Sequence, residues 1–330
     1  MIATPLMKDL GLRYPIIGAP MAGVAESALA GAITAAGGLG MIGVGSQAST
    51  TFVVEETEKV RDRGPFGVGL MVWALESRPD LFDAVLSTNP TLISLSFGDP
   101  TPYIEACHRL NIRTAVQVHS REEARQAREA GADILVAQGT EAGGHTGSVA
   151  TLPLTQIVLQ ESGGRPVVAA GGIATAEGIA GALVLGADAV WLGTVFLTTL
   201  EARQKAAGRA RLLEATEMDT VHTHVYDRIQ QLAWPEPYPG RALVNDFTRT
   251  WSGRERELVN NTSARTEFLS HRGDYRFDYL YAGQAIGLVN REERAADLVV
   301  RLGTETETHL LKRVKTIVTD DRSEHRNSQS

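Results

Sequence analysis

Residues 166–194 read PVVAAGGIATAEGIAGALVLGADAVWLGT, and this stretch decides the fold. Two short apolar runs, at 166–171 and 189–193, have the length of buried strands, and the residues between them have helical periodicity. Each run ends in a glycine-containing turn. A strand, a helix and a second strand in this order predict the βα repeat of a parallel sheet.

The same repeat recurs along the first two hundred residues. Working outward, we predict strands at PIIGAP (15–20), GMIGVG (40–45), GVGLMV (67–72), TLISLSF (91–97), RTAVQV (113–118), DILVAQ (133–138), PVVAAG (166–171) and AVWLG (189–193). Amphipathic stretches lie between them, and several end at glycine, as helices often do. Eight repeats in this length favour an α/β fold, a closed (β/α)8 TIM barrel, over an open doubly wound sheet.

The pattern changes after residue 205, and we therefore predict four parts of the chain. Residues 1–205 are expected to form the barrel. Residues 206–271 are expected to form a small, mainly helical domain, inserted near the C-terminus on the substrate side. Residues 272–315 return to apolar helical patterning and are expected to pack back on the barrel, whereas 316–330 are polar enough for a frayed tail.

The composition excludes several classes of protein. A formal net charge of -7 disfavours nucleic-acid binding, which needs a basic face. Cys107 is the only cysteine, so neither an internal disulfide nor a cysteine-held metal is expected, and a reducing cytoplasm fits best. We find no export signal and no apolar run long enough to span a bilayer. The oligomeric state is left open, a homodimer included.

The loop after the sixth strand carries the strongest signal for chemistry. It reads QGTEAGGHTG (138–147), and in a barrel such loops form the catalytic surface. Its glycines allow the main chain to pass close to a flat ligand, with the imidazole of His145 held at that ligand's surface. His145 is therefore the candidate catalytic residue. Glu141 in the same loop could contact substrate or could cap backbone N–H groups.

Two glycine turns after the seventh and eighth strands predict an anion site. They contain Gly171-Gly172 and Gly193-Thr194, and barrels commonly bind phosphate in these two loops. Neither turn has an adjacent Lys or Arg, so backbone N–H groups would hold the anion, with the Thr194 hydroxyl assisting. The glycines could otherwise serve only tight βα packing.

The edge after the first strand contains small residues and a proline, Ala19-Pro20-Met21-Ala22, and would suit a ring system lying along it. Met21 could equally fill the core.

Two other patterns resemble known binding motifs but do not predict the corresponding sites. Residues 38–43, GLGMIG, satisfy the dinucleotide-binding spacing but follow a helix and enter a strand, the reverse of the required order. His222, His224 and Asp227 could suggest a metal, but alternate histidines on an extended segment usually serve packing or solvent contacts, so we predict no metal site.

In this order and at these strand ends, the segments APMAG, QGTEAGGHTG, AAGGI and LGT resemble the nitronate monooxygenase family, also called 2-nitropropane dioxygenases. GRALVN (240–245) and AGQAIGLV (282–289) extend the resemblance over nearly the whole chain. The resemblance implies FMN as cofactor, held by the residues Ala19, Pro20, Met21, Ala22, Gln138, Gly143, Gly144, Gly171, Gly172, Gly193 and Thr194.

The chain also departs from the family pattern. Gly69 stands where relatives often carry an Asn that contacts flavin or substrate, and Gln117 and His119 end the fifth strand in a variable manner. We assign Gly69, Gln117 and Glu141 to the substrate side of the site.

The resemblance implies an FMN-dependent oxidoreductase that uses O2 to convert alkyl nitronates into carbonyl compounds and nitrite, with His145 as base or hydrogen-bond donor. The alternative within the same superfamily is a flavin-dependent NAD(P)H:quinone or enoyl-ACP reductase. A more distant alternative is a barrel that binds flavin without turnover.

Overall fold

A computed structural model describes residues 1–317 of the chain. Its strands are β1 (Ile16–Gly18), β2 (Gly40–Gly43), β3 (Phe66–Met71), β4 (Leu92–Ser96), β5 (Arg113–Val118), β6 (Ile134–Gln138), β7 (Gly144–His145), β8 (Val167–Ala170), β9 (Ala189–Leu192), β10 (Thr220–Thr223) and β11 (Gly240–Leu243). All eight predicted strands are present.

The helices follow the predicted alternation. They are α1 (Pro5–Leu10), α2 (Ser27–Ala35), α3 (Thr50–Arg61), α4 (Val72–Leu75), α5 (Pro79–Ser87), α6 (Thr101–Arg109), α7 (Arg121–Glu129), α8 (Thr151–Glu161), α9 (Ala176–Leu185), α10 (Ala206–Leu213), α11 (Val225–Gln230), α12 (Asp246–Trp251), α13 (Thr262–Ser270) and α14 (Ala295–Ile317). Three 3-10 turns lie at Thr194–Phe196, Glu255–Leu258 and Gln284–Leu288. No helix within residues 1–317 is long and apolar enough to cross a membrane.

The large sheet is parallel throughout and closes on itself. Its order is β1-β9-β8-β6-β5-β4-β3-β2. A parallel bridge between Ile17 and Leu39 joins the two ends, where the Leu39 N–H donates to the Ile16 carbonyl over 3.0 Å. The predicted TIM barrel is therefore confirmed.

The barrel interior is packed with apolar side chains from its strands, among them Met41, Leu92 and Trp191. Helix α1 packs against this interior with Leu6, Met7 and Leu10. A barrel packed in this way is a solid core and not a channel, so any ligand must bind at its mouth, where the strands end.

The segment after the barrel contains a sheet as well as helices. Strands β10, β11 and β7 form an antiparallel sheet in the order β10-β11-β7, a feature the sequence prediction of a mainly helical domain did not include. A separate apolar core holds the helices of this segment, with Tyr226, Phe247 and Phe268 fully buried. Because β7 belongs to the loop after β6, this sheet connects the barrel mouth to the small domain.

The C-terminal helix α14 packs against α9 and α2 on the outside of the barrel. It includes residues 316 and 317, which we had assigned to a frayed tail; residues 318–330 of that tail lie outside the described residues.

Candidate active site

The loop that carries His145 is fixed at the barrel mouth by the small sheet. Gly144 and His145 pair with Arg241 and Gly240 of β11. The imidazole is buried, with only 8% of the residue exposed. The predicted catalytic histidine is thus held by backbone pairing and is not a freely moving loop side chain.

A buried carboxylate orients this imidazole. The Nε2 atom of His145 lies 2.8 Å from Oδ1 of Asp227, and Asp227 is only 1% exposed. The other oxygen of Asp227 lies 3.0 Å from Nδ1 of His224. The sequence pattern names Asp227 only within a rejected metal pattern and predicts packing or solvent contacts for His224; in the structure both belong to the His145 network.

The hydrogen bond fixes which nitrogen of His145 can act on a ligand. An ionised carboxylate only accepts hydrogen bonds, so Nε2 of His145 must be the donor. Within residues 1–317, Nδ1 of His145 has no hydrogen-bond partner. A neutral imidazole in this tautomer therefore has its free lone pair on Nδ1.

The local charges favour this neutral form. Burial lowers the pKa of His145 below its ordinary 6.5, and the Asp227 carboxylate offsets this only in part. The hydrogen bond to Asp227 raises the pKa of His224. Burial acts to raise the pKa of Asp227, but the hydrogen bonds from His145 and His224 outweigh it and lower that pKa. Of the two histidines, His224 is thus the one that more readily carries the positive charge.

The aromatic rings of Trp234 and Phe97 lie against the imidazole. Trp73 packs on Trp234, and Tyr238 packs on Phe97. We call these four aromatic residues the ring wall. The Trp234 ring lies flat against His145, with 3.3 Å between ring centroids and 4° between planes. Sequence analysis missed these residues. The aromatic and proline-rich run WPEPYP at 234–239 was the available signal.

The two glycine turns predicted to bind an anion lie at the ends of β8 and β9. Gly171 and Gly172 have φ angles of 99° and 71°, a region that favours glycine. Within the described chain, the backbone N–H groups of Gly171, Gly172, Gly193 and Thr194 donate to no other group. Unpaired N–H groups clustered in this way can bind a phosphate.

The Thr194 hydroxyl accepts a hydrogen bond from the Gly283 N–H over 2.9 Å. Its own proton remains available to an anion. The segment around Gly283 also packs directly on the His145 loop, since a Cβ at Gly143 would lie 2.6 Å from the backbone of Ala282. Residues 282–284 therefore connect the turn at Thr194 to the His145 loop.

The other residues expected to bind the cofactor differ from one another in exposure and in hydrogen bonding. The edge Ala19–Ala22 follows β1, with Met21 close to Gly193; Ala22 itself is exposed. The carbonyl oxygen of the Gln138 side chain accepts from Gln117 Nε2 and lies 2.8 Å from Nε2 of His119. Within residues 1–317 the side-chain N–H groups of Gln138 have no recorded acceptor, so they are available to a ligand.

All three expected substrate residues are engaged in other contacts. A Cβ at Gly69 would lie 2.3 Å from the Pro20 ring, so Pro20 fills the space into which a side chain at this position would extend. The Glu141 carboxylate accepts from the N–H and hydroxyl of Thr151 at the start of α8, over 2.8 and 2.9 Å. Gln117 is bound to Gln138, as above.

The chain resembles proteins of one family along most of its length. A family model described as nitronate monooxygenase matches residues 80–305, and one described as an IMP dehydrogenase / GMP reductase domain matches residues 1–153. A nitronate monooxygenase of Paraburkholderia phytofirmans is 31% identical over 91% of this chain and 94% of its own. A relative from Mycobacterium tuberculosis is 38% identical, over 74% of this chain and 66% of its own.

Solved structures agree in fold. FabK from Thermotoga maritima superposes with a TM-score of 0.84 at 29% identity, over 96% of this chain and all of its own. A nitroalkane oxidase from Streptomyces ansochromogenes gives a TM-score of 0.79 at 30% identity, over 93% of this chain and 99% of its own.

Proposed function

The chain belongs to the nitronate monooxygenase family, and from that premise we propose that it is an FMN-dependent oxidoreductase acting on alkyl nitronates, and on nitroalkanes, with O2. Two nitronates and one O2 would give two carbonyl compounds and two nitrite ions. The observation that carries the proposal is the buried His145, whose Nε2 is tied to Asp227 and whose Nδ1 is free.

The residues at the barrel mouth fit FMN. The unpaired N–H groups at Gly171, Gly172, Gly193 and Thr194 suit a phosphate, and Ala19–Ala22, Gln138, Gly143 and Gly144 would border the ring. When bound, FMN would supply the electron-accepting ring that this chain lacks. The protein would supply binding, orientation and exclusion of water.

His145 would act on the substrate through Nδ1. Towards a neutral nitroalkane, Nδ1 would remove the proton from the carbon next to the nitro group. The protonated ring would then donate a hydrogen bond from Nδ1 to the nitronate, while Nε2 remains bonded to Asp227. The Asp227 carboxylate would stabilise the positive charge that develops on the ring.

The test of this function is a spectrum of the purified protein, titrated with ethylnitronate in the presence of O2. We expect a flavin spectrum, O2 consumption and nitrite release. Bound flavin should not be bleached rapidly by NADH under anaerobic conditions. A protein that arrives colourless and does not bind added FMN, or that releases no nitrite from any nitronate, would contradict the proposal.

A second candidate function is a flavin-dependent NAD(P)H reductase. The observation that favours it is the superposition on FabK, which is at least as good as that on the nitroalkane oxidase. The same NADH experiment separates the two, because rapid anaerobic bleaching would favour the reductase.

The cofactor site makes a separate prediction. In Gly171→Ala, the new Cβ would lie 2.9 Å from the Gly139 carbonyl at a φ of 99°, so the turn must distort. We expect FMN binding to weaken by about 5- to 150-fold, because holding the turn in its FMN-binding shape would then cost about 1–3 kcal/mol. Equilibrium dialysis of the apoprotein with FMN measures this.

The matched control is Gly164→Ala. This residue has a similar φ of 86° in the turn before β8, but open space around its Cβ position. The Gly164→Ala variant introduces a similar backbone strain before β8, at the end of the strand away from Gly171. It should leave FMN affinity unchanged. Equal losses in the two variants would mean that Gly171 matters only for stability.

We further propose that residues 206–271 act as the substrate-side domain, because they supply both Asp227 and Trp234. A cytoplasmic location and a homodimer stay predictions from the sequence.

A further inference from the structure

Phe97 has a strained backbone at the end of β4. Its φ is +63°, in the left-handed region that bulky side chains rarely adopt. Such strain costs about 1–3 kcal/mol and is found mainly at functional sites. Here it accompanies a ring that contacts Trp234 and Tyr238, with centroids 5.0 and 5.2 Å apart. These ring contacts in the ring wall offer a reason why a phenylalanine occupies this strained position.

The small-domain part of the ring wall is stiff before any ligand arrives. Pro235, Pro237 and Pro239 alternate with the residues around Trp234 and Tyr238, and each proline fixes its own φ. A segment of this kind loses little conformational entropy when a ligand binds. The ring wall is therefore a preformed apolar surface beside His145.

Trp73 has an unused hydrogen-bond donor in this surface. Its ring lies 5.1 Å from that of Trp234, and its buried Nε1–H has no partner among residues 1–317. A buried unpaired donor costs about 1–3 kcal/mol, and a ligand acceptor would remove that cost. A nitronate has two acceptor oxygens on one nitrogen, so it can satisfy this group.

The charges nearby disfavour a second anionic group on the ligand. The carboxylates of Asp227 and Glu123 already lie at His145 and His119. Among the described residues, no guanidinium lies over a ring of the ring wall; those over aromatic rings lie at Tyr14, Trp251, Phe268 and Tyr279. The buried Arg241 is turned to the Thr140 carbonyl and Thr220. His224 and Arg228 are already paired with Asp227 and Glu236. An extra carboxylate would therefore meet repulsion from Asp227 and Glu123, with no unpaired cation among these groups to offset it.

We propose that this site selects nitronates whose carbon carries a flat, uncharged, apolar group such as a phenyl ring. The apolar group packs on the ring wall, and the Nε1–H of Trp73 donates to a nitronate oxygen. The proposal that the ligand is a nitronate rests on the proposed function. The preference for a flat, uncharged, apolar group follows from the ring wall and does not depend on that function. Trp73 is then a substrate-binding and specificity-determining residue.

The experiment compares two nitronates and two non-reacting analogues on the FMN-loaded protein. Phenylmethanenitronate and propionate 3-nitronate are assayed by nitrite release, and benzoate and succinate are titrated by their effect on the flavin spectrum. The variants are Trp73→Phe, which keeps a ring and removes the N–H, and Trp251→Phe, a matched control in the small domain.

We expect at least about tenfold higher kcat/KM for the phenyl compound, and tighter binding of benzoate than of succinate. Trp73→Phe should weaken benzoate binding and raise the KM for phenylmethanenitronate by about 10- to 100-fold, the range for a hydrogen bond to a charged group. Trp251→Phe should change neither.

The outcomes separate this inference from the proposed function. If no nitronate is oxidised but benzoate still binds more tightly than succinate and depends on Trp73, the function fails and the ligand class stands. Equal or tighter binding of succinate would overturn the ligand class whatever the turnover. Unchanged benzoate affinity in Trp73→Phe would overturn the role of Trp73.

Discussion

Replacing His145 by alanine is expected to lower kcat/KM for a neutral nitroalkane by about 10²- to 10⁴-fold, the usual contribution of a positioned general base. The same variant should lose less with a preformed nitronate, about 10- to 100-fold, since that substrate needs only the hydrogen bond. The glycine turns that we propose to hold the FMN phosphate are formed by other residues, so FMN should remain bound. Nitrite release from nitroethane and from ethylnitronate gives the two values.

His309→Ala, on the outer helix α14, is the control for removing a histidine, and should keep wild-type rates. Addition of imidazole to His145→Ala should restore part of the nitroalkane activity and little of the nitronate activity. Full nitronate turnover in an FMN-loaded His145→Ala protein would show that this imidazole has no part in the reaction.

The barrel could be predicted because its signals are local. Each strand, turn and helix is encoded within about 25 residues, as in 166–194, and the parallel sheet follows from their alternation. The same reasoning rejected the dinucleotide pattern at residues 38–43, which enter β2. The position of His145 at the barrel mouth followed from its place after the sixth strand.

The partners of His145 could not be predicted, because they are distant in sequence. Asp227 lies 82 residues further along the chain, and the two-residue strand β7 is too short to leave a periodic pattern. Trp234 reaches the imidazole only because β11 pairs with β7. Sequence analysis did single out His222, His224 and Asp227, but as a metal pattern to be rejected, and had no means to relate them to an imidazole in another loop.

Glu141 and Gly69 show a related limit. Sequence analysis left open whether Glu141 caps backbone groups, and only the position of Thr151 decides what its carboxylate contacts. At Gly69, the ring of Pro20 from the β1 edge occupies the space where a side chain would be, a contact between separate βα units. The local sequence pattern shows which residue type stands at the end of a strand. It does not show which neighbouring βα unit packs against that residue.

Asp227→Asn should shift the pH dependence of nitroalkane oxidation towards lower pH and lower its plateau by about tenfold. The base must be neutral, so activity is present above the pKa of His145 and is lost as the pH falls through it. Burial places that pKa below 6.5, and the Asp227 carboxylate acts to raise it. Removing the negative charge therefore lowers the pKa further, and a weaker base removes a proton more slowly.

The amide of Asp227→Asn offers one oxygen and one NH2 group to the two histidines. With its oxygen towards His145, Nε2 still donates, the tautomer is kept and the loss comes from charge. With its NH2 group towards Nε2, the ring proton moves to Nδ1 and the base is lost. Asp227→Ala removes the acceptor as well, and we expect a further loss of about tenfold because the ring is no longer oriented. Rate profiles from pH 5 to 9 on FMN-loaded proteins, with thermal unfolding measured in parallel, separate these effects. If both variants unfold more easily but keep the wild-type pH profile, Asp227 serves only to hold the small domain in place. The pKa of the base is then determined by other groups.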